Sequence, residues 1–294
     1  MIMPLEMTGR LLNRGFRLLP TNLVSRVWGR FSRTGASRHL IGPYARAFGV
    51  TVSEAEMAPS GYPTLNAFFT RRLKPGVRPV DRDPRILVSP VDGKVHACGE
   101  CDHDRLLQVK GCEYTLFNLL RDGPMARRFI GGGYATLYLS PSDYHRVHAP
   151  LDMEVTGIGY MPGVLLPVNP PSIRWNAQLY THNERVVVYA DSPAGKMAVV
   201  LVGAHCVGYI ALSFHEFVSN RPGVGPTRLH FERSVSLAKG DEVGVFEMGS
   251  TVVLLFERDR VDLSLPEMDR PIRLGQRIGA LRAGLRNSDD ATDL

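Results

Sequence analysis

Val243-Gly-Val-Phe-Glu-Met248, then Gly249-Ser250, then Thr251-Val-Val-Leu-Leu-Phe256 form two strand-like runs joined at a Gly-Ser pair. The first alternates, as a half-buried strand does; the second is continuously apolar, as in a strand buried on both faces. The same texture extends over most of the chain. Short β-rich runs at 86–89, 94–98, 106–109, 134–139, 154–160, 185–189, 197–202 and 207–212 are punctuated by Gly and Pro. Only 114–120 and 125–129 look helical among them. Such a stretch predicts a mostly antiparallel β body with crossovers, not alternating β and α units. Residues 1–70 read as helical instead, closing with Thr64-Leu-Asn-Ala-Phe-Phe-Thr70, where Thr64 is placed to cap a short helix. The expected fold is therefore α+β. It comprises a helical region at 1–70, a β-rich body at 71–286 and an acidic, disordered tail at 287–294.

Composition narrows the function. A chain of 294 residues with 44% hydrophobic and 22% charged residues can bury a sizeable core. Four cysteines, Cys98, Cys101, Cys112 and Cys206, make no disulfide scaffold and fit a reduced compartment. The net charge of +6 is concentrated: residues 1–50 hold eight arginines against the single Glu6, leaving the rest near neutral. A basic arm on a neutral body points to an anionic partner for the arm alone, either nucleic acid or anionic lipid.

On a helical wheel, Leu11, Leu12, Phe16, Leu18 and Leu19 lie opposite Arg10, Arg14 and Arg17. Leu23, Val24, Val27, Trp28 and Phe31 then share an arc beside Arg26, Arg30 and Arg33, with Pro20-Thr21-Asn22 as the break between the two helices. Arg on one face and Trp, Phe and Leu on the other is the pattern of helices lying in a membrane interface. Two helices packed on the body with a basic outer face would give the same wheel, and an Arg-rich, acid-poor start also suits an organelle transit peptide. No run reaches the length of a spanning helix. A nucleic-acid platform would interleave the basic residues with stacking aromatics, whereas Trp28 and Phe31 share the apolar arc.

Three separated motifs carry candidate chemistry: Asp92 in Ser89-Pro-Val-Asp-Gly-Lys94, His145 and His148 in Asp143-Tyr-His-Arg-Val-His148, and Ser250. A serine, a histidine and an aspartate suffice to turn a hydroxyl on a carbonyl. Each motif also has a plain reading. Asp92-Gly93 is a hairpin signal, Gly249-Ser250 an ordinary turn, and two histidines three apart a shared helical face. His96-Ala-Cys98-Gly-Glu-Cys101-Asp-His103 resembles a metal or redox site, but it lacks a second cysteine pair, and Gly99-Glu100 reads as a hairpin tip. No metal is expected.

Taken together, Asp92-Gly93, Tyr144-His-Arg-Val-His148 and Gly249-Ser250-Thr251 resemble the phosphatidylserine decarboxylase proenzymes of the bacterial membrane-bound type. The resemblance runs from about Leu19 to Gly279 and includes residues 64–73, Asn183-Glu-Arg185 and Val200-Leu-Val-Gly203. Because it begins within the arm, a removed transit peptide is not expected. Met248 departs from the commoner Leu, and the Cys-x-x-Cys lies outside the pattern.

The resemblance implies that Ser250, deprotonated by His148 with Asp92 stabilising the imidazolium, attacks the Gly249 carbonyl. The chain then parts between Gly249 and Ser250 into a large and a small subunit that stay associated. Ser250 becomes a covalent pyruvoyl group that forms a Schiff base with the amine of phosphatidylserine, so neither PLP nor metal is needed. His145 is the candidate for the substrate-stage acid or positioning group, and Tyr138 a weaker substrate-binding candidate. Phosphatidylethanolamine and carbon dioxide are the expected products, at the cytoplasmic side of an anionic cell membrane. A homodimer is an expectation by analogy, and nucleic acid is not an expected partner. The alternatives are a Ser-His-Asp hydrolase of lipid esters, disfavoured by the absence of a Gly-x-Ser-x-Gly elbow, and an inert membrane-binding β-domain.

Overall fold

The computed structural model describes residues 21–109, 112–168, 172–173, 176, 178–205, 209–221, 223–247 and 250–282. Arg10, Arg14, Arg17, Cys206, Gly249 and the tail at 287–294 lie outside the described residues, as does the side chain of Ser250. The helical part contains α1 (Thr21–Ser32), α2 (Ile41–Phe48) and α3 (Leu65–Phe69). Thr64 caps α3 as expected, its hydroxyl accepting from the Ala67 amide at 3.1 Å.

The body follows with β1 (Ile86–Val88), β2 (Gly93–Glu100), β3 (Arg105–Val109), β4 (Cys112–Thr115), α4 (Leu116–Leu120), α5 (Gly123–Arg128), β5 (Gly133–Leu139) and β6 (Arg146–His148). Next come β7 (Met153–Met161), α6 (Leu179–His182), β8 (Arg185–Ser192), β9 (Gly195–Gly203), β10 (Ile210–Leu212) and β11 (Thr227–Leu237). The chain closes with β12 (Glu242–Phe246), β13 (Ser250–Phe256), β14 (Val261–Leu263), β15 (Pro271–Ile272) and β16 (Arg277–Leu281).

One eight-stranded sheet, ordered β11-β7-β8-β9-β13-β5-β2-β15 and antiparallel at every pairing, forms the middle layer. Its central strands are apolar on both faces because both are covered. Val252, Leu254, Leu201 and Val186 face a core shared with the small sheets β1-β16-β14 and β10-β12-β6. Val253, Leu255, Val200 and Val187 face a second core, roofed by α4, α6 and Tyr114 of β4. This double burial explains the unbroken run after Ser250.

Several expectations are corrected. His145 and His148 do not share a helical face, since Arg146–His148 is the strand β6, paired with β12. Gly99-Glu100 is not a hairpin tip: β2 continues through it, and the turn falls at His103, whose φ of 54° is left-handed. Asp92-Gly93 is no hairpin either. Gly93 starts β2 because a Cβ there would sit 2.2 Å from the Tyr138 carbonyl oxygen. The helix expected over 114–120 starts only at Leu116, after β4. The eleven-residue β11 had a usable signal in Leu229, Phe231, Val235 and Leu237 at even spacing.

Candidate active site

Ser250 opens β13, and its backbone is in register with Leu139 of β5 on one side and Gly203 of β9 on the other. The Asn183-Glu-Arg185 motif builds the ground beside it. The Asn183 amide donates to the carbonyls of Gly203 and Leu166 at 2.8 and 2.9 Å, and the Gly203 amide donates to the Glu184 carbonyl at 2.8 Å. A Cβ on Gly203 would meet Leu165 Cδ2 at 3.0 Å and the Glu184 carbonyl oxygen at 3.3 Å, so glycine keeps this approach open. The Glu184 carboxyl is buried, and desolvation raises its pKa to about 7. Arg185 is buried too; it donates to four carbonyls, Asn118, Leu119, Thr181 and Asn183, and burial lowers its pKa to about 10. Two of those carbonyls sit at the end of α4, where the helix dipole favours a cation.

His145 is fully buried. Its Nδ1–H donates to the Asp143 carbonyl at 2.9 Å, and its ring packs on Phe69 with centroids 4.0 Å apart. A carbonyl can only accept, so the tautomer is set and Nε2 carries a lone pair. That Nε2 has no hydrogen-bond partner among the described residues. Burial lowers the His145 pKa to about 3, so the ring is neutral. His148 lies nearby on β6. Its Nδ1–H donates to the Gly240 carbonyl at 2.7 Å, Nε2 accepts from the Tyr144 hydroxyl at 3.1 Å, and its pKa is also lowered by burial.

The Asp92 carboxylate makes no hydrogen bond to His148. Its carboxylate is taken up by Arg78, with Nη2 at 2.6 Å and Nε at 2.9 Å, and by the Leu274 amide at 2.8 Å. Orientation of the His148 ring thus falls to Gly240, a residue with no motif to mark it. The backbones are nevertheless close, since the His148 amide donates to the Pro90 carbonyl at 2.9 Å. Asp92 and Tyr144 also line one polar cavity of about 180 Å³ with Arg71 and Arg78. Tyr138 pairs with Thr251 and stacks on His96 at 4.7 Å, one residue along from the Ser250 row. Sequence reasoning did not single out Tyr144, Gly240 or Arg78 for the site. Tyr144 stands inside a quoted motif, whereas the other two become visible only through contacts distant in sequence.

At the Ser250 end of the sheet a second, largely apolar pocket of about 530 Å³ opens. Pro141 and His205, each two residues beyond a strand partner of Ser250, form part of its wall; the rest comes from the helical part, including Trp28, Tyr44, Phe48 and Phe69. Phe69 therefore separates this pocket from His145.

Helix α1 packs inward through Thr21, Ser25, Gly29 and Ser32, all buried, and meets the body where the Leu165 amide donates to the Thr21 hydroxyl at 3.3 Å. Leu23, Val24, Val27 and Phe31 are turned to the outside, with Val27 59% exposed. For α1 the arrangement with a buried apolar face does not hold: small residues let the helix approach closely, leaving Leu23, Val24, Val27 and Phe31 uncovered, while the first of the two expected helices lies outside the described residues. Arg30 is exposed, whereas Arg26 is half-buried, with its charge acting on Glu184. Among the described residues no helix is long and apolar enough to cross a membrane, and no cluster of metal-ligating side chains is found. Cys98 is exposed and Cys101 buried, its thiol pushed up to about 12 by desolvation.

The sequence profile of the family described as phosphatidylserine decarboxylase matches residues 65–280. A phosphatidylserine decarboxylase proenzyme of Myxococcus xanthus is 46% identical over 272 residues, covering 90% of this chain and 96% of its own. Those of an Anaeromyxobacter species and of Nitrosococcus oceani are 43% and 42% identical, covering 93% and 90% of this chain and 99% and 89% of theirs. With the profile matching both the histidine strand and the Ser250 junction, this chain belongs to the phosphatidylserine decarboxylase family.

Proposed function

We propose that Ser250, His148, Asp92 and His145 perform the family's chemistry, that the bond broken in maturation is Gly249–Ser250, and that the lipid enters from a membrane through the apolar pocket. The activity itself comes with the family: phosphatidylserine is converted to phosphatidylethanolamine and carbon dioxide by a carboxy-lyase that first cleaves itself and makes its own pyruvoyl group. The observation carrying the residue assignment is the register of Ser250 between Leu139 and Gly203, at the edge of the pocket.

In maturation, the Ser250 hydroxyl gives its proton to His148 and adds to the Gly249 carbonyl, moving the acyl group from nitrogen to oxygen. Elimination expels the Gly249 carboxylate, which keeps the serine oxygen, and leaves a dehydroalanine; addition of water, which brings the new oxygen, and loss of ammonia then leave a ketone at position 250. His148 Nε2 carries the accepting lone pair because Nδ1–H is held by Gly240, and the Tyr144 hydroxyl that it accepts from gives way to that of Ser250. Asp92 would have to exchange its pairing with Arg78 for the protonated ring to stabilise the imidazolium. Pairing of β13 with both β5 and β9 keeps the two fragments in one sheet after the break.

The pyruvoyl group supplies an electron-withdrawing ketone next to the bond that loses carbon dioxide. Position 250 suits that role: it is at a strand end, opposite Gly203, and His145 offers a buried Nε2 without a hydrogen-bond partner among the described residues. His145 takes the proton shed by the substrate amine and returns it to carbon once carbon dioxide has left. Burial favours its neutral, proton-accepting form.

The outward arc of α1 suits the edge of a bilayer, with Trp28 and Phe31 at acyl depth and Arg30 at the anionic headgroups of the cytoplasmic face. Intact mass under denaturing conditions tests the bond assignment. Two fragments covering residues 1–249 and 250–294 are expected, the smaller about 17 Da (one ammonia) below its hydrolytic mass. A chain that stays whole on incubation refutes it.

A further inference from the structure

The peptide that must react is bracketed by two anchors. Downstream, Ser250 is fixed by pairing on both sides of β13. Upstream, β12 ends at Phe246, whose amide donates to the His145 carbonyl at 2.9 Å, and the next amide, Glu247, donates to the Tyr209 carbonyl at 2.9 Å. The Glu247 side chain then makes an ion pair with Arg33, the residue that follows α1, across 214 positions of sequence. The Arg33 guanidinium lies over the Tyr209 ring at 4.4 Å, and the Asn66 side chain of α3 also favours the charged Glu247 carboxylate. Glu247 is only 15% exposed; desolvation raises its pKa, and Arg33 opposes that shift.

We propose that Arg33, with Asn66 and Tyr209, is a clamp that positions the scissile peptide for self-cleavage by holding Glu247, so that the helical layer takes part in maturation. The proposal rests on Gly249–Ser250 being the bond broken. Two residues separate Glu247 from Ser250, so pinning both ends restricts where the Gly249 carbonyl can lie relative to the attacking hydroxyl. Intramolecular attack is steeply sensitive to such placement. The clamp also neutralises a carboxylate two residues before the reacting carbonyl in sequence; left unpaired, that charge would oppose the oxyanion. Arg33 and Glu247 are positioning residues, acting through the backbone they hold.

The test follows the rate of chain cleavage after synthesis of the full chain, read as the appearance of the 250–294 fragment. Arg33→Met and Glu247→Ala should each slow cleavage roughly ten- to hundredfold. The double exchange Arg33→Glu with Glu247→Arg should bring the rate back to within about threefold of wild type, since pairing and not residue identity is at stake. Thermal unfolding of each variant in a Ser250→Ala background separates this from misfolding, with midpoints expected to stay within about 3 °C. Single variants cutting at the wild-type rate would overturn the clamp while leaving the bond assignment intact. So would slow single variants that the exchange fails to restore. A wild-type chain cut elsewhere would overturn both.

Discussion

Valines and leucines are treated in opposite ways by α1 and by the central sheet. In β9 and β13, Val199, Val200, Val252 and Val253 are fully buried between two cores. In α1, Leu23, Val24 and Val27 face outward, while Ser25, Gly29 and Ser32 are hidden. The sheet is complete by itself, because its apolar area is covered by the chain's own small sheets and helices. The helical layer is not, and a row of exposed apolar side chains next to a 530 Å³ apolar pocket marks a surface that a lipid phase would complete. Chemistry and lipid access thus belong to different layers, and the Phe69–His145 contact is where they meet.

The sharpest way to break this contrast is to put the same charge in each layer. Val200→Asp, buried between β8 and β13, should cost about 4 kcal/mol or more and prevent folding, as judged by denaturant unfolding. Val27→Asp should stay within about 0.5 kcal/mol of wild type while lowering binding to phosphatidylserine-containing vesicles roughly tenfold. Equal effects on folding would erase the distinction between the layers.

Next in size is the junction. His145→Gln should allow self-cleavage yet lower the turnover of the matured enzyme by roughly 10²- to 10⁴-fold, measured as carbon dioxide release. The same variant reports on pH. His145 and His96 have pKa values lowered by burial to about 3 and about 4, against an ordinary 6.5. Between pH 6.5 and about 4 the unfolded chain binds protons that the folded one refuses, so stability falls as pH falls, by up to about 1.4 kcal/mol per pH unit for each group. His145→Gln should reduce that slope by one proton in urea titrations. Glu184 acts in the opposite sense: raised from 4.5 to about 7, it adds stability that is full below pH 4.5 and lost as pH rises through 7. The smallest effect is expected from Thr64→Ala, which removes the α3 cap and should cost about 1 kcal/mol, seen as a modest drop in the unfolding midpoint.

Much of this was legible in the residues. Each of the ten strand-like runs overlaps an observed strand, with residues 207 and 208 outside the described residues, because period-two and continuous apolar patterns survive wherever one or both faces of a strand are buried. The amphipathic arc of α1 was legible too, but not the direction in which it points. That depended on Thr21, Ser25, Gly29 and Ser32 matching the surface beneath them. Strand β6 was hidden because three residues, Arg146 to His148, are too short to carry a period. The ends of β2 and the role of Gly93 were hidden because a close approach to the Tyr138 carbonyl is set by a strand distant in sequence.

By itself the sequence determined the β body, the basic amphipathic arm and the three motifs whose resemblance places the chain in its family, since local periodicity and side-chain chemistry are written residue by residue. Only the tertiary structure decided that Gly240 and not Asp92 holds the His148 ring, that Arg78 occupies Asp92, and that Arg33 reaches Glu247. Each of these contacts joins residues 14 to 214 positions apart. Pairings of that kind arise from how layers stack, and they leave no trace in the local order of the chain.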